Sequence, residues 1–182
     1  EKQVFDRHYK LRPANAPNQL SIPDTSLYTN LAVSATLYPN KPAIVYYGTE
    51  ISYREFLEAA NALAGYLQSL GVKKGDRVLL YMQNSPQWMM AYYGILRADA
   101  IVVPINPMNR TAELGHYLQD TGAAVAICAQ EIFPEIAPLI GSEALRDVIV
   151  AAYSDYVRQP SDLDLPQAVQ QPVQSIERPG VH

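Results

Sequence analysis

Cysteine is almost missing from this 182-residue chain, where Cys128 stands alone. A single thiol forms no intrachain disulfide and no multi-cysteine metal site, and it suits a reducing compartment, so a cytoplasmic protein is expected. An excess of positive charge is missing too. Lys and Arg number 14 against 18 Asp and Glu, a formal charge of -4 without a clustered basic run, which predicts no nucleic-acid partner. No apolar run reaches the ~20 residues of a bilayer-spanning helix, so no transmembrane segment is expected, and contact at a membrane surface stays open. The opening EKQVFDRHYK lacks the apolar stretch of a secretion signal. The nine glycines are scattered, with no Gly-x-Gly, no Ser-Gly-Thr-Thr-Gly and no Gly-Lys-(Ser/Thr). A phosphate cradle of a known kind is therefore not encoded.

What is present suits one α/β core, with 48% hydrophobic and 18% charged side chains. Residues 1–25, rich in Pro and Asn, read as an extended arm. LYTNLAVSATL reads as a short helix closed by Pro39. AIVYY and EISY then form a hairpin about Gly48-Thr49, a glycine-first pair suited to a tight turn. Ser52 and Glu55 have capping-box spacing before a helix marked by Phe56, Leu57, Ala60, Leu63, Ala64, Leu67 and Leu70. After GVKKGD comes RVLLYM, a buried strand. Asn84-Ser85-Pro86 starts a helix through Trp88, Tyr92, Ile95 and Leu96. The rhythm continues with strand AIVVPIN, helix TAELGHYLQDTG, strand AAVAICA, a proline-interrupted helix over 131–145 and strand DVIVAA. Near-continuous apolar strands alternating with amphipathic helices predict a doubly wound, flavodoxin-like parallel sheet with helices on both faces, preceded by the hairpin, over 26–153. Residues 154–182 read as a Pro/Gln-rich connector, cut off before its next element.

Four segments in register carry a resemblance: YPNKPAIVYYGTEISYREF, LGVKKGDRVLLYMQNSPQW, LRADAIVVPINPMNRTAEL and DTGAAVAI. Together they resemble the amino-terminal region of the adenylate-forming, AMP-binding superfamily, most like long-chain fatty-acid–CoA ligases; IPDTSLYTNL and the Asn-Pro of INP look more like fatty-acyl and aryl CoA ligases than peptide-synthetase domains. An aryl-CoA ligase is the neighbouring alternative. The resemblance implies a parent enzyme that uses ATP, magnesium and coenzyme A. A carboxylate attacks the α-phosphorus of ATP, leaving acyl-adenylate and pyrophosphate, and the coenzyme A thiol then displaces AMP. Such chemistry needs charge stabilisation at phosphorus and exclusion of water from the mixed anhydride. The family's phosphate loop and catalytic residues have no counterpart here, so this fragment is expected to bind no cofactor and to be inactive alone. A fragment of a larger body also exposes an apolar face, which predicts self-association.

Arg110, just after INPMN, is the one residue assigned to a cofactor: the resemblance implies a basic side chain near here for a coenzyme A phosphate. The position directly after the Asn-Pro, often basic in the family, is Met108 here. Asp99 stands where the family often has Gly at a helix end. His116 has no second ligand at metal spacing and reads as a solvent-side residue. Cys128 reads as a small buried hydrophobe. Trp88, Tyr92 and Tyr93 read as core aromatics, and Gly71, Lys73, Lys74 and Gly75 as a turn. Two other functional classes remain beside the ligase: a non-catalytic interaction or regulatory module on the same fold, and a flavodoxin-like nucleotide binder.

Overall fold

The computed structural model describes residues 11, 13 and 15 and residues 22–182 except 143 and 161; most of the arm expected over 1–25 lies outside the described residues. Helix α1 (Leu27–Leu37) starts at Ser26, whose hydroxyl accepts from the Thr29 amide, and it buries Leu31 and Ala35. Strands β1 (Pro42–Tyr46) and β2 (Thr49–Ser52) pair antiparallel. Their turn sits on Tyr47 and Gly48, with φ of 45° and 84°, one residue earlier than the sequence suggests. Positive φ at both central residues suits the right-handed twist of a hairpin. Thr49 is instead paired with Tyr46 and buried, its hydroxyl accepting from the Arg158 amide at 2.9 Å.

Ser52 caps α2 (Tyr53–Ser69) by accepting from the Glu55 amide at 3.2 Å. The Glu55 carboxylate pairs with Arg158, 103 residues away, so a capping-box spacing here serves a tertiary ion pair. Strand β3 (Arg77–Tyr81) leads to α3 (Pro86–Arg97), where the Ser85 hydroxyl accepts from the Trp88 amide at 3.1 Å and Pro86 opens the first turn. Helix α3 ends on Asp99 at φ 58°. The Ala100 amide reaches back to the Ile95 carbonyl and the Asp99 amide to that of Leu96, so this aspartate fills the left-handed helix end that glycine fills best.

Strand β4 (Ile101–Ile105), α4 (Thr111–Thr121) and β5 (Val125–Ala129) follow, α4 ending at Gly122 with φ 61°. The helix expected over 131–145 is only α5 (Phe133–Ile136) and a 3-10 turn (Ala137–Leu139), because Pro134 and Pro138 withhold amides from a continuous ladder. After β6 (Asp147–Ala151) come a 3-10 turn (Tyr153–Tyr156) and the short α6 (Gln167–Gln170).

The four parallel strands run in the order β4-β3-β5-β6, the flavodoxin-like winding. Pleating sends alternate residues to opposite faces. Val78, Leu80, Val125 and Ile127 meet Leu67, Ala91 and Ile95 of α2 and α3, while Leu79, Tyr81, Ala126 and Cys128 meet Leu114, Leu118 and Ile136 of α4 and α5. The sheet is thus covered on both faces, as the sequence predicts. Fully burying each Leu, Ile or Val contributes roughly 1.5–3 kcal/mol. A third cluster of Leu31, Ile51, Phe56, Ala60 and Met90 packs α1 and the hairpin onto the outer surfaces of α2 and α3. Residues 154–182 run back along the domain: Val169 is buried, and Val181 bridges parallel to Val148 beside β6.

Candidate functional site

In an open parallel sheet the winding reverses where the first helix pair departs on opposite faces, and ligands favour the carboxyl ends of the strands there. Here that place lies between β3 and β5, flanked by the loops after β3, β4, β5 and β6. Two groups of polar residues occupy it.

The first surrounds the start of α4. Tyr81, at the end of β3, is fully buried, and its hydroxyl donates to the Asn109 carbonyl at 2.5 Å, pinning the INPMN loop. Burial, with the Glu135 charge second, pushes the Tyr81 pKa up. The Asn106 side-chain oxygen accepts from the Met108 amide at 2.9 Å, tightening the same loop. Arg110 precedes α4; its amide donates to Glu113 Oε2 at 2.6 Å, and one guanidinium nitrogen reaches Glu135 Oε1 at 2.9 Å. The Arg110 side chain is 74% exposed and that of Glu135 26%. The other Glu135 oxygen accepts from the Thr111 amide at 3.1 Å and lies 3.0 Å from the Thr111 hydroxyl. Glu135 therefore serves the exposed amides at the helix start, where a negative group is favoured. The Thr111 hydroxyl first, then Arg110, hold its carboxyl below the usual carboxylate range.

The second group lies between β5 and β6. Glu131 follows β5, and both its carboxylate oxygens are buried with no partner at regular hydrogen-bond geometry. Burial raises its pKa, while a hydrogen bond from its own backbone amide and then the nearby Tyr153 hydroxyl pull it partly back. Tyr153 is itself buried, and its oxygen accepts from the Gln83 amide at 2.8 Å; desolvation lifts its pKa far above the usual tyrosine value. Tyr46, in the hairpin, is pushed up to about 12, by burial first and then by Tyr47 and Glu131. No sequence motif announced Glu131; only the fold reveals that this carboxyl is shut away from water.

The remaining sequence candidates fall outside both groups. His116 is exposed on α4 beside Tyr117 and Asp120. Cys128 is fully buried, and desolvation drives its thiol pKa well up, which leaves no nucleophile. Trp88 stacks on Tyr92 at 5.3 Å and Tyr93 packs edge-on to Phe56, all against the core. Gly71 and Gly75 have φ of 85° and 84° in a turn at the amino end of β3, the opposite end of the strand from the site. There the Lys73 amide donates to Asp76 Oδ2 at 2.8 Å.

Comparison with known proteins places this geometry. The family model "AMP-binding enzyme" matches residues 31–179. The chain is 33% identical over 161 residues to a long-chain-fatty-acid–CoA ligase of Bacillus subtilis, covering 88% of this chain and 29% of that one. It is 38% identical over 157 residues to the corresponding Salmonella typhimurium ligase, covering 85% and 27%. The crystal structure of the anthranilate CoA ligase AuaEII superposes with a TM-score of 0.67 at 29% identity, over 80% of this chain and 30% of that one. The chain thus spans less than a third of the length of these relatives. The match extends from within α1 past α6 and takes in the winding order and both polar groups of the site, and by it the chain belongs to the AMP-binding enzyme family.

Proposed function

We propose that this chain is the amino-terminal scaffold of an ATP-dependent fatty-acid–CoA ligase, in which it forms one side of the domain that adenylates the acid. The observation that carries the reading is the continuous match over residues 31–179 to the AMP-binding family, joined to curated relatives named for long-chain fatty acids. The reading gives the described residues no part in holding ATP or magnesium. Six of the chain's glycines make single positive-φ turns rather than a phosphate loop, and the described residues bring together no group of three or more His, Cys, Asp and Glu able to hold a metal. On this reading adenylation and its metal are assigned to residues of the ligase outside these 182.

A coenzyme A phosphate does have a fitting group. Arg110 is largely exposed, and one of its guanidinium nitrogens is paired with Glu135. A phosphate oxyanion brought to the start of α4 meets that guanidinium and competes with Glu135 for it. No described helix is long and apolar enough to cross a membrane. Self-association of the chain is supported by β4 at one edge of the sheet, with Ile101 half exposed at its start. Light scattering that finds only monomer at high concentration removes that part of the reading.

The decisive experiment offers the 182-residue chain ATP, magnesium and a long-chain fatty acid and follows pyrophosphate. No release above the protein-free background is expected, and steady release overturns the reading. In a complete ligase, Arg110→Ala is expected to raise the KM for coenzyme A and to leave those for ATP and fatty acid unchanged. An unchanged coenzyme A KM removes Arg110 from the site. An aromatic acid as substrate decides between fatty-acid and aryl ligase.

A further inference from the structure

The other end of the sheet, where the strands begin, carries a polar recess of its own. Arg77 opens β3 and Arg146 immediately precedes β6, and both line a hollow of about 90 Å³ together with Gly71, Asp76, Gly122 and Ala124. Each guanidinium is anchored on the end of a helix. Arg77 Nε donates to the Thr121 carbonyl of α4 at 2.5 Å, and an Arg146 terminal nitrogen donates to the Leu70 carbonyl at the end of α2 at 3.3 Å. Cations are favoured at carboxyl-terminal helix ends. The Arg146 amide donates to the Ala124 carbonyl at 2.9 Å, which fixes that residue beside the start of β5. Gly122, at φ 61°, lets the Arg77 head lie close: a Cβ there would stand 3.2 Å from one terminal nitrogen.

Helix ends explain how the two arginines are held, and their charge is left to account for. The ion pairs among the described residues join Arg110 to Glu135, Arg158 to Glu55 and His182 to Asp147, so neither Arg77 nor Arg146 is neutralised by a carboxylate there. Asp76 is the acid of the lining, and its Oδ2 accepts from the Lys73 amide at 2.8 Å. Lys73 and Lys74, in the turn before β3, are exposed. Four basic residues thus stand in or next to a recess lined by one acid, in a chain whose formal charge is -4. A guanidinium offers its N–H donors as a planar fork that takes phosphate oxygens in pairs. We propose that this recess binds a phosphate-type oxyanion, as free phosphate or as the head of a soluble phosphate monoester, held between Arg77 and Arg146. Arg146 also borders a wider cavity of about 460 Å³ with Ile140, Arg178 and Gly180, which gives an organic stem a place to lie. A narrow recess between two helix ends suits a small soluble ligand better than the plane of a bilayer.

Titration of the isotope-labelled intact chain with inorganic phosphate, followed by amide NMR at an ionic strength held constant with chloride, tests the site. The signals of Gly71, Gly122 and Ala124 are expected to shift and to saturate, and glycerol 3-phosphate is expected to move the same signals. Arg146 is exposed, and Arg146→Ala is expected to weaken both ligands by about tenfold, the loss of one charge-assisted contact, with the rest of the spectrum native. Arg146→Lys is expected to keep part of the affinity, because it restores the charge without the fork. Thr111 and Ala112 signals report separately on phosphate at Arg110, so this site and the coenzyme A assignment stand or fall apart. The proposal is overturned if the recess signals do not saturate, if chloride alone reproduces their shifts, or if a natively folded Arg146→Ala titrates like its parent. Sedimentation of the chain with phosphatidic acid vesicles, abolished by Arg146→Ala, would overturn the soluble source and transfer the anion to a lipid headgroup.

Discussion

Two glycine-to-alanine changes, chemically the same, are expected to move stability in opposite directions. Both Gly65 in α2 and Gly94 in α3 lie inside helices, where alanine is intrinsically better by about 1 kcal/mol. A Cβ at Gly65 has nothing within 4 Å, so Gly65→Ala keeps that gain. A Cβ at Gly94 stands 2.9 Å from Leu63 Cδ2 and 3.1 Å from both Cβ and Cγ of the same leucine. A rotamer change moves the Cδ2 but leaves the leucine Cβ in place, so α2 and α3 must separate. Overpacking of this kind costs about 1–3 kcal/mol, which turns the propensity gain into a net loss of about 1 kcal/mol. Urea unfolding followed by the fluorescence of Trp88, the only tryptophan, reads both. With a slope near 2 kcal/mol per molar, Gly65→Ala raises the midpoint by about 0.5 M and Gly94→Ala lowers it by about the same. Leu63→Ala in the Gly94→Ala background should recover part of the loss through a favourable coupling of about 1 kcal/mol. The reasoning is refuted if Gly94→Ala is stabilising, or if the cycle shows no coupling.

Asp99→Gly relieves a non-glycine residue held at φ 58°, and a gain of about 1 kcal/mol should appear as a rise of roughly 2–4 °C in calorimetry. Because the folded-state pKa of Glu131 is raised, its contribution to stability should be fully present in acid and be lost from the usual carboxylate range upward; the difference in urea midpoint between the native chain and Glu131→Gln should change with pH accordingly. Glu135 has the opposite sign, since its depressed pKa gives stability present above the usual carboxylate range and lost as pH falls through the folded value. Thr111→Val, which deletes the largest cause of that depression, should move the Glu135 titration in carboxyl-detected NMR toward the ordinary value.

The elements that could be foreseen are those whose signals are local. Ser52 and Ser85 accept from the amides three residues on, and the periodic positions Phe56, Ala60, Ala64 and Leu67 are the buried face of α2. What escaped depends on distant partners. Glycine-first turn chemistry argued for Gly48-Thr49, but Thr49 is needed in the ladder opposite Tyr46 and under Arg158, so Tyr47 takes the unfavourable positive φ. Residues 154–182 show no core pattern because Val157, Leu165, Ala168 and Val169 pack on the core without a regular period, and their burial is meaningful only once the sheet is there to receive them. The site was half legible. The INPMN loop drew attention to Arg110, while nothing near Glu131 in sequence foretells that its carboxylate oxygens are shut away from solvent.

Gln130 Nε2 donates to the Pro172 carbonyl at 2.9 Å and its Oε1 accepts from the Gln174 amide at 3.2 Å, so a side-chain amide stands in for a peptide unit beside an irregular segment. Its chemistry is therefore perishable in a way that a backbone pairing is not. Hydrolysis of that amide to a carboxylate would abolish the donor to Pro172 and set a negative oxygen against the carbonyl it formerly bound. Age alone could thus convert a staple into a point of repulsion, beginning at one atom and leaving the rest of the sheet untouched.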